Sequence, residues 1–127
     1  MFNYNKTFSS FSVNDLDKAQ AFYEKTLGLP VDASKMGLRI SLPANEIFIY
    51  GKPNHEPATF TVLNFQVGDI EAAVSQLTGQ GIKFLQYGGD IQTDSKGIAR
   101  PPYGPTIAWF ADPSGNILSV LQERANG

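Results

Sequence analysis

Few side chains in this sequence are equipped for covalent or acid–base chemistry. There is no cysteine, so thiolate nucleophiles, thiolate metal sites and disulfides are absent together. His55 is the only histidine, and a two-histidine-one-carboxylate metal site cannot be built by one chain with a single imidazole. It lies in the polar stretch from Gly51 to Pro57, where it reads as an ordinary surface histidine or, alternatively, as a general base or ligand. Among carboxylates, Glu46 is the best placed, a candidate catalytic group that alternation puts on one face with Phe48 and Tyr50. Arg39 falls on that same face from the preceding strand, so the two read as an anion clamp or acid/base site, or as a cross-strand ion pair at the sheet rim. Arg100, ahead of Pro101-Pro102-Tyr103, either offers a guanidinium to an anionic ligand or is an exposed loop charge. Asp15, Asp69 and Asp112 stand where two helix caps and a turn need them.

The elements that must position these groups are announced by a repeated cassette. Phe11-Ser12-Val13-Asn14-Asp15-Leu16-Asp17-Lys18-Ala19 returns as Phe65-Gln66-Val67-Gly68-Asp69-Ile70-Glu71-Ala72-Ala73. Alternating Phe and Val give the period of a half-buried strand, and the Asp is a natural N-cap, so each copy reads strand, stop, helix. The first half continues with a helix ending at Gly28, a short strand at Pro30–Ala33, and strands at Leu38–Leu42 and Glu46–Tyr50. The second half has a strand over Thr59–Val67, a helix from Asp69 that closes around Gly79–Gly81, and a short strand at Ile82–Leu85. An irregular segment then runs from Gln86 to Pro105, and the last strands are Thr106–Phe110 and Ile117–Leu121 around Asp112-Pro113-Ser114-Gly115-Asn116. Loops of that length in compact domains are usually functional or disordered, and many close over a site. Gly88-Gly89 is no phosphate loop, because no helix follows it. The tail after Glu123 reads as frayed.

These elements predict an α+β chain of tandem βαβββ modules forming a curved sheet around a cleft. Residues 1–127 make one domain of two halves, about 6–50 and 59–122. The cleft face, opposite the helix-packed face, collects Phe8, Ser10, Ser12, Arg39, Phe48, Tyr50, Val62, Asn64, Gln66, Trp109, Ile117 and Ser119. Apolar and aromatic groups mixed with hydrogen-bonding ones are the make-up of a small-molecule pocket, although a second core or a dimer interface has a similar composition. The net charge of −2 argues against a nucleic-acid or anionic-membrane partner. No apolar run is long enough to span a bilayer and no signal peptide is visible, so the cytoplasm is the expected compartment.

The pieces FSVNDLDKAQAFYEKTLGL (Phe11 to Leu29), FQVGDIEAA and WFADPSGNIL (Trp109 to Leu118) resemble the vicinal oxygen chelate superfamily of glyoxalase I, extradiol dioxygenases and bleomycin-resistance proteins. The likeness runs from about Lys6 to Gln122. It implies a divalent metal held by four strand positions, usually His or Glu. Carried over one at a time, those positions fall here on Phe8, on Phe48 or Ile49, on Val62 and on Ser119. Zinc or iron needs His, Cys or carboxylate donors, so the resemblance brings the scaffold and not the metal, and no cofactor is expected.

The resulting expectation is a metal-independent protein that binds a small molecule. Phe8, Phe48, Tyr50, Val62 and Trp109 would surround the ligand, with Ser10, Arg39, Asn64, Arg100 and Ser119 orienting it. One alternative is a glyoxalase-like lyase, isomerase or dioxygenase with altered metal ligands, and another is a non-catalytic homodimeric interaction protein. Family members are commonly dimers, so a homodimer is expected in either case.

Overall fold

A computed structural model describes residues 1–124. Residues 125–127, the end of the tail read as frayed, lie outside the described residues. Arg124, inside that tail, is held: its guanidinium donates to the carbonyls of Pro101 and Pro102. The chain divides into two compact units, Met1–Pro57 and Ala58 onward.

In the first unit β1 (Ser9–Val13) leads into α1 (Leu16–Gln20), followed by β2 (Val31–Ser34), β3 (Gly37–Leu42) and β4 (Asn45–Gly51). The sheet order is β1-β4-β3-β2, with β1 parallel to β4 and the other pairs antiparallel. The second unit repeats this with β5 (Thr61–Gln66), α2 (Ile70–Gly79), β6 (Ile98–Ala99), β7 (Thr106–Ala111) and β8 (Ile117–Gln122), in the order β5-β8-β7-β6. The tandem α+β modules expected from the cassette are present.

Both cassettes work through the same bond. The Asp15 carboxylate accepts from the Lys18 N–H and the Asp69 carboxylate from the Ala72 N–H, each at 3.1 Å, with extended backbone at both caps. Such caps satisfy donors that the first helical turn leaves unpaired and contribute about 1 kcal/mol each. In each unit the helix covers one sheet face. Val13, Ala19, Tyr23, Leu38, Ile40, Ile47 and Ile49 form the first core; Leu63, Ile70, Val74, Ile98, Ala108, Phe110, Leu118 and Val120 form the second. Each fully buried aliphatic or aromatic side chain contributes about 1.5–3 kcal/mol relative to leaving it in water.

Three elements differ from the sequence reading. The first helix does not run to Gly28 in α form: from Ala21 to Thr26 it widens into a π-helical turn, with the Leu27 N–H bonded to the Phe22 carbonyl at 2.9 Å. There Tyr23, fully buried, meets Phe22 edge-on and lies against Phe11 of β1. Ile82–Leu85 forms only a single bridge, Phe84 to Phe110, and the strand beside β7 is Ile98–Ala99, from inside the segment read as irregular. The chain thus leaves the edge of the second sheet after Leu85 and returns to it at Ile98. The two pieces are close enough that a Cβ on Gly97 would sit 2.6 Å from that of Phe84.

Candidate functional site

Strand register sets which side chains share the face away from the helix in the first unit. Ser10 pairs with Phe48 and Phe48 with Arg39, while Ser12 pairs with Tyr50 and Asp32 with Arg39. Paired residues point to the same side of a sheet, so Ser10, Phe48, Arg39 and Asp32 form one row across this face and Ser12 and Tyr50 begin the next. Ile49, the other alternative for the second metal position, is fully buried in the helix-side core, so Phe48 is the residue facing outward.

A cavity of about 340 Å³ opens on this face, lined by Lys6, Phe8, Asp32, Ser34, Met36, Arg39, Glu46 and Phe48. Its volume is at the lower end of small-molecule sites. Phe8, Arg39, Phe48 and Glu46 were all expected here. Lys6, Asp32, Ser34 and Met36 were not: Lys6 precedes β1 and reaches Glu46, while the hairpin register between β2 and β3 brings in the other three. The Glu46 carboxylate lies 3.4 Å from Lys6 Nζ and 3.7 Å from Arg39 Nε. Both cations are well exposed, so these pairs contribute no more than about 1 kcal/mol each and are readily exchanged for a ligand's charges. The Phe48 ring extends over Gly37, where a Cβ would lie 2.9 Å from Cζ.

Beside the cavity, the lone histidine has a partner that sequence reasoning missed. Lys52 N–H bonds the Val13 carbonyl and His55 N–H the Lys52 carbonyl, folding the loop back across the end of β1. His55 Nδ1 thereby sits 2.6 Å from Ser12 Oγ. The polar linker gave no signal for this, because the contact depends on where β1 ends.

In the second unit the helix-distal face carries Asn64, Ser119 and Trp109 in one row. Ala108 and Phe110, on either side of Trp109, are fully buried, which leaves Trp109 on the expected face. Ser119 is itself buried and donates to Asn64 Oδ1, so its hydroxyl orients Asn64. Trp109 meets Tyr87 edge-to-face at 5.3 Å. Val62 falls in a β-bulge, where the register shifts between Thr61 and Leu63; bulges re-aim the side chain they contain.

Arg100 is held by carboxylates of its own unit. Its Nη1 donates to Asp94 and its Nη2 to Glu71 of α2, both at 2.7 Å, and Lys96 Nζ lies 3.5 Å from Glu71. The hydrogen bond that Arg100 donates to Asp94 raises the Arg100 pKa, against a smaller opposing effect of desolvation. Desolvation raises the Asp94 carboxyl, but the Ile98 N–H, the Arg100 guanidinium and the Lys96 N–H together outweigh it and hold the group below the usual carboxylate range. The segment is further tied by reciprocal bonds between Tyr87 and Thr93. It is a fastened loop, and its cation is already engaged.

The four positions implied for a metal are therefore two phenylalanines, a valine in a bulge and a buried serine bonded to Asn64. Among the described residues no group of three or more His, Cys, Asp and Glu is arranged to hold a metal ion. This donor set does not fit zinc or iron.

Residues 8–120 match the model of the Glyoxalase/Bleomycin resistance protein/Dioxygenase superfamily. Among solved structures, a glyoxalase-family protein from Bacillus anthracis is 24% identical with a TM-score of 0.69, the match covering 98% of this chain and 100% of that one. The fosfomycin resistance protein FosX from Listeria monocytogenes is 12% identical with a TM-score of 0.72, at 98% of each chain. TnmS3, an antibiotic-binding protein from Streptomyces sp. CB03234, is 23% identical with a TM-score of 0.66, at 97% of this chain and 100% of that one. No curated protein matches the sequence. Among the described residues no helix is long and apolar enough to cross a membrane.

Proposed function

The chain belongs to the Glyoxalase/Bleomycin resistance protein/Dioxygenase superfamily, and we propose that within it the chain is a metal-independent small-molecule binding protein. The superfamily scaffold has a general capacity to hold small molecules. The observation that carries the finer reading is that Phe8 and Phe48, at two positions where a metal enzyme of this scaffold would present donors, instead line a cavity. A planar or apolar ligand with a charged or hydrogen-bonding group fits such a wall. Its ring system would lie against Phe8 and Phe48, and its polar group would meet Arg39 and Lys6, displacing Glu46 from them. Ser10 and Tyr50 extend the same face. Asn64, Trp109, Val62 and Ser119 are the candidate ligand-facing residues of the second unit. Arg100 is engaged in ion pairs with Asp94 and Glu71. TnmS3 is an antibiotic-binding protein, and its role is compatible with the binding reading proposed for this chain. We place the protein in the cytoplasm and as a homodimer, which sedimentation equilibrium checks.

The test is binding of a panel of aromatic carboxylates and their neutral analogues, followed by amide NMR shifts and equilibrium dialysis in metal-free buffer. Shifts should centre on Phe8, Arg39 and Phe48, chelator should leave affinity unchanged, and Phe48→Ala should weaken binding by roughly tenfold or more. Purified protein that carries a stoichiometric transition metal and loses binding when the metal is stripped sinks the reading.

A further inference from the structure

One row of the first sheet carries three chemistries side by side. Asp32 on β2 pairs with Arg39 on β3, and Arg39 pairs with Phe48 on β4. Neighbouring strands are about 4.8 Å apart, so an anion, a cation and an aromatic ring follow one another over roughly 10 Å of the cavity wall. Lys6 and Glu46 complete the charged lining, which is two cations and two carboxylates. Their pairing is uneven. Glu46 holds both cations, Lys6 Nζ at 3.4 Å and Arg39 Nε at 3.7 Å. Asp32 is exposed and opposite Arg39 in register, yet among the described residues it has no ion pair. A ligand carboxylate that takes Lys6 and Arg39 from Glu46 therefore faces two carboxylates left without a cation, and like charges in one small site repel. A ligand that also carries an ammonium group removes that penalty.

We propose that this cavity takes an aromatic zwitterion of the α-amino-acid type, with its ring on Phe8 and Phe48, its carboxylate at Arg39 and Lys6, and its ammonium group at Asp32. The proposal rests on the reading that the cavity is the ligand site. An α-amino acid bears both charges on one carbon. Arg39 and Asp32 match that spacing as direct cross-strand partners, whose Cα atoms are about 4.5–5.5 Å apart in an antiparallel pair. Phe48 stands on the other side of Arg39 in the same row, where the ring of such a molecule would lie. The discrimination comes from charge balance. A simple aromatic acid leaves Glu46 and Asp32 uncompensated, and a simple aromatic amine engages Asp32 but leaves Arg39 and Lys6 on Glu46. A zwitterion uses every charge in a lining whose formal charges already sum to zero.

Phenylalanine, hydrocinnamate and phenethylamine share one skeleton and differ in which charges they carry. Each is titrated into the full chain at about pH 7, where carboxylates and primary amines are both ionised, and binding is followed by amide NMR shifts. Phenylalanine should bind roughly fivefold tighter than either singly charged probe, and the advantage should shrink as salt is added. Asp32→Asn lies at an exposed position and should leave the fold intact. It should weaken phenylalanine and phenethylamine by roughly threefold to fivefold and leave hydrocinnamate no weaker. Arg39→Gln should weaken phenylalanine and hydrocinnamate and spare phenethylamine. Phenylalanine no tighter than hydrocinnamate, or an Asp32→Asn variant that weakens all three probes alike or none of them, overturns the proposal. Phenethylamine as tight as phenylalanine overturns the carboxylate seat at Arg39, and the zwitterion with it. If hydrocinnamate shifts the Phe48 and Arg39 amides while phenylalanine gains nothing over it, the zwitterion alone fails. If none of the three perturbs those amides, the cavity reading fails with it.

Discussion

Asp112 should be the costliest aspartate in the chain to remove, although it performs no chemistry. It is 5% exposed. One carboxylate oxygen accepts from the Ser114 and Asn116 N–H groups at 2.9 Å each, and the other from Asn116 Nδ2 at 3.0 Å. Asp112→Ala leaves three donors in a buried turn without this acceptor. Hydrogen bonds to a charged group contribute about 1.5–3 kcal/mol each, and they overlap when they share one carboxylate. The expected loss is about 3–5 kcal/mol, a large part of the 5–15 kcal/mol typical of whole domains. For a chain of this length that lowers Tm by roughly 10–20 °C. Asp112→Asn keeps one acceptor oxygen and should lose about half as much, whereas Asp69→Ala, at an exposed cap, should lose about 1 kcal/mol. Urea denaturation of the three variants measures the order. A loss below about 1 kcal/mol for Asp112→Ala, or an Asn variant no better than the Ala one, would falsify the view that this turn is held by the carboxylate.

Three further outcomes can be checked on the same protein. Gly37→Ala places a Cβ 2.3 Å from the Ile49 carbonyl and 2.9 Å from Phe48 Cζ, at φ +149°; it should destabilise by about 1–3 kcal/mol and weaken aromatic probes by displacing the Phe48 ring, read by Tm and dialysis. Glu46→Gln removes the carboxylate shared by Lys6 and Arg39, so benzoate should bind more tightly while stability changes by no more than about 1 kcal/mol. Asp94 has a lowered pKa in the folded chain, so its contribution is present above the ordinary carboxylate range and is lost as pH falls through the lowered value. The protection of the Lys96 and Ile98 amides, taken relative to the intrinsic exchange rate at each pH, should therefore hold at neutral pH and fall as the carboxylate protonates, and Asp94→Asn should lower it at neutral pH.

Local features of the chain were legible because local rules fix them. Asp15 and Asp69 cap their helices through the expected bond, and alternation placed Trp109 between buried Ala108 and Phe110. The same alternation put Arg39, Glu46 and Phe48 on one face, and the register agrees. What escaped depends on pairings distant in sequence. Ile98–Ala99 is too short to show a period, and it takes the sheet edge because the chain swings out after Leu85 and Gly97 lets it return against Phe84. The π-helical turn at Ala21–Thr26 keeps an ordinary helical composition, and what distinguishes it is a one-residue change of hydrogen-bond partner. Arg100 looked available because Glu71, which engages it, lies 29 residues away on the helix.

The two units also separate what makes this scaffold from what equips it for chemistry. Their caps are nearly superposable, with φ of −144° and −145° and the same donor position on each helix. Their helix-distal faces differ. The first has Phe8 and Phe48 beside a cavity with exchangeable ion pairs; the second has a bulged Val62 and a Ser119 turned inward to Asn64. Cap carboxylates bond the first turn of their own helix, and the helix packs on the opposite face, so the bonds that fix each strand–helix turn do not involve the metal positions. Replacing a metal ligand with phenylalanine on such a face removes no hydrogen bond that the fold needs, and it adds apolar surface where a ligand can cover it. A duplicated scaffold of this kind can therefore carry phenylalanine at a metal position and keep the caps that hold its turns, and in the first unit those phenylalanines line a cavity whose exposed ion pairs a ligand's charges can exchange.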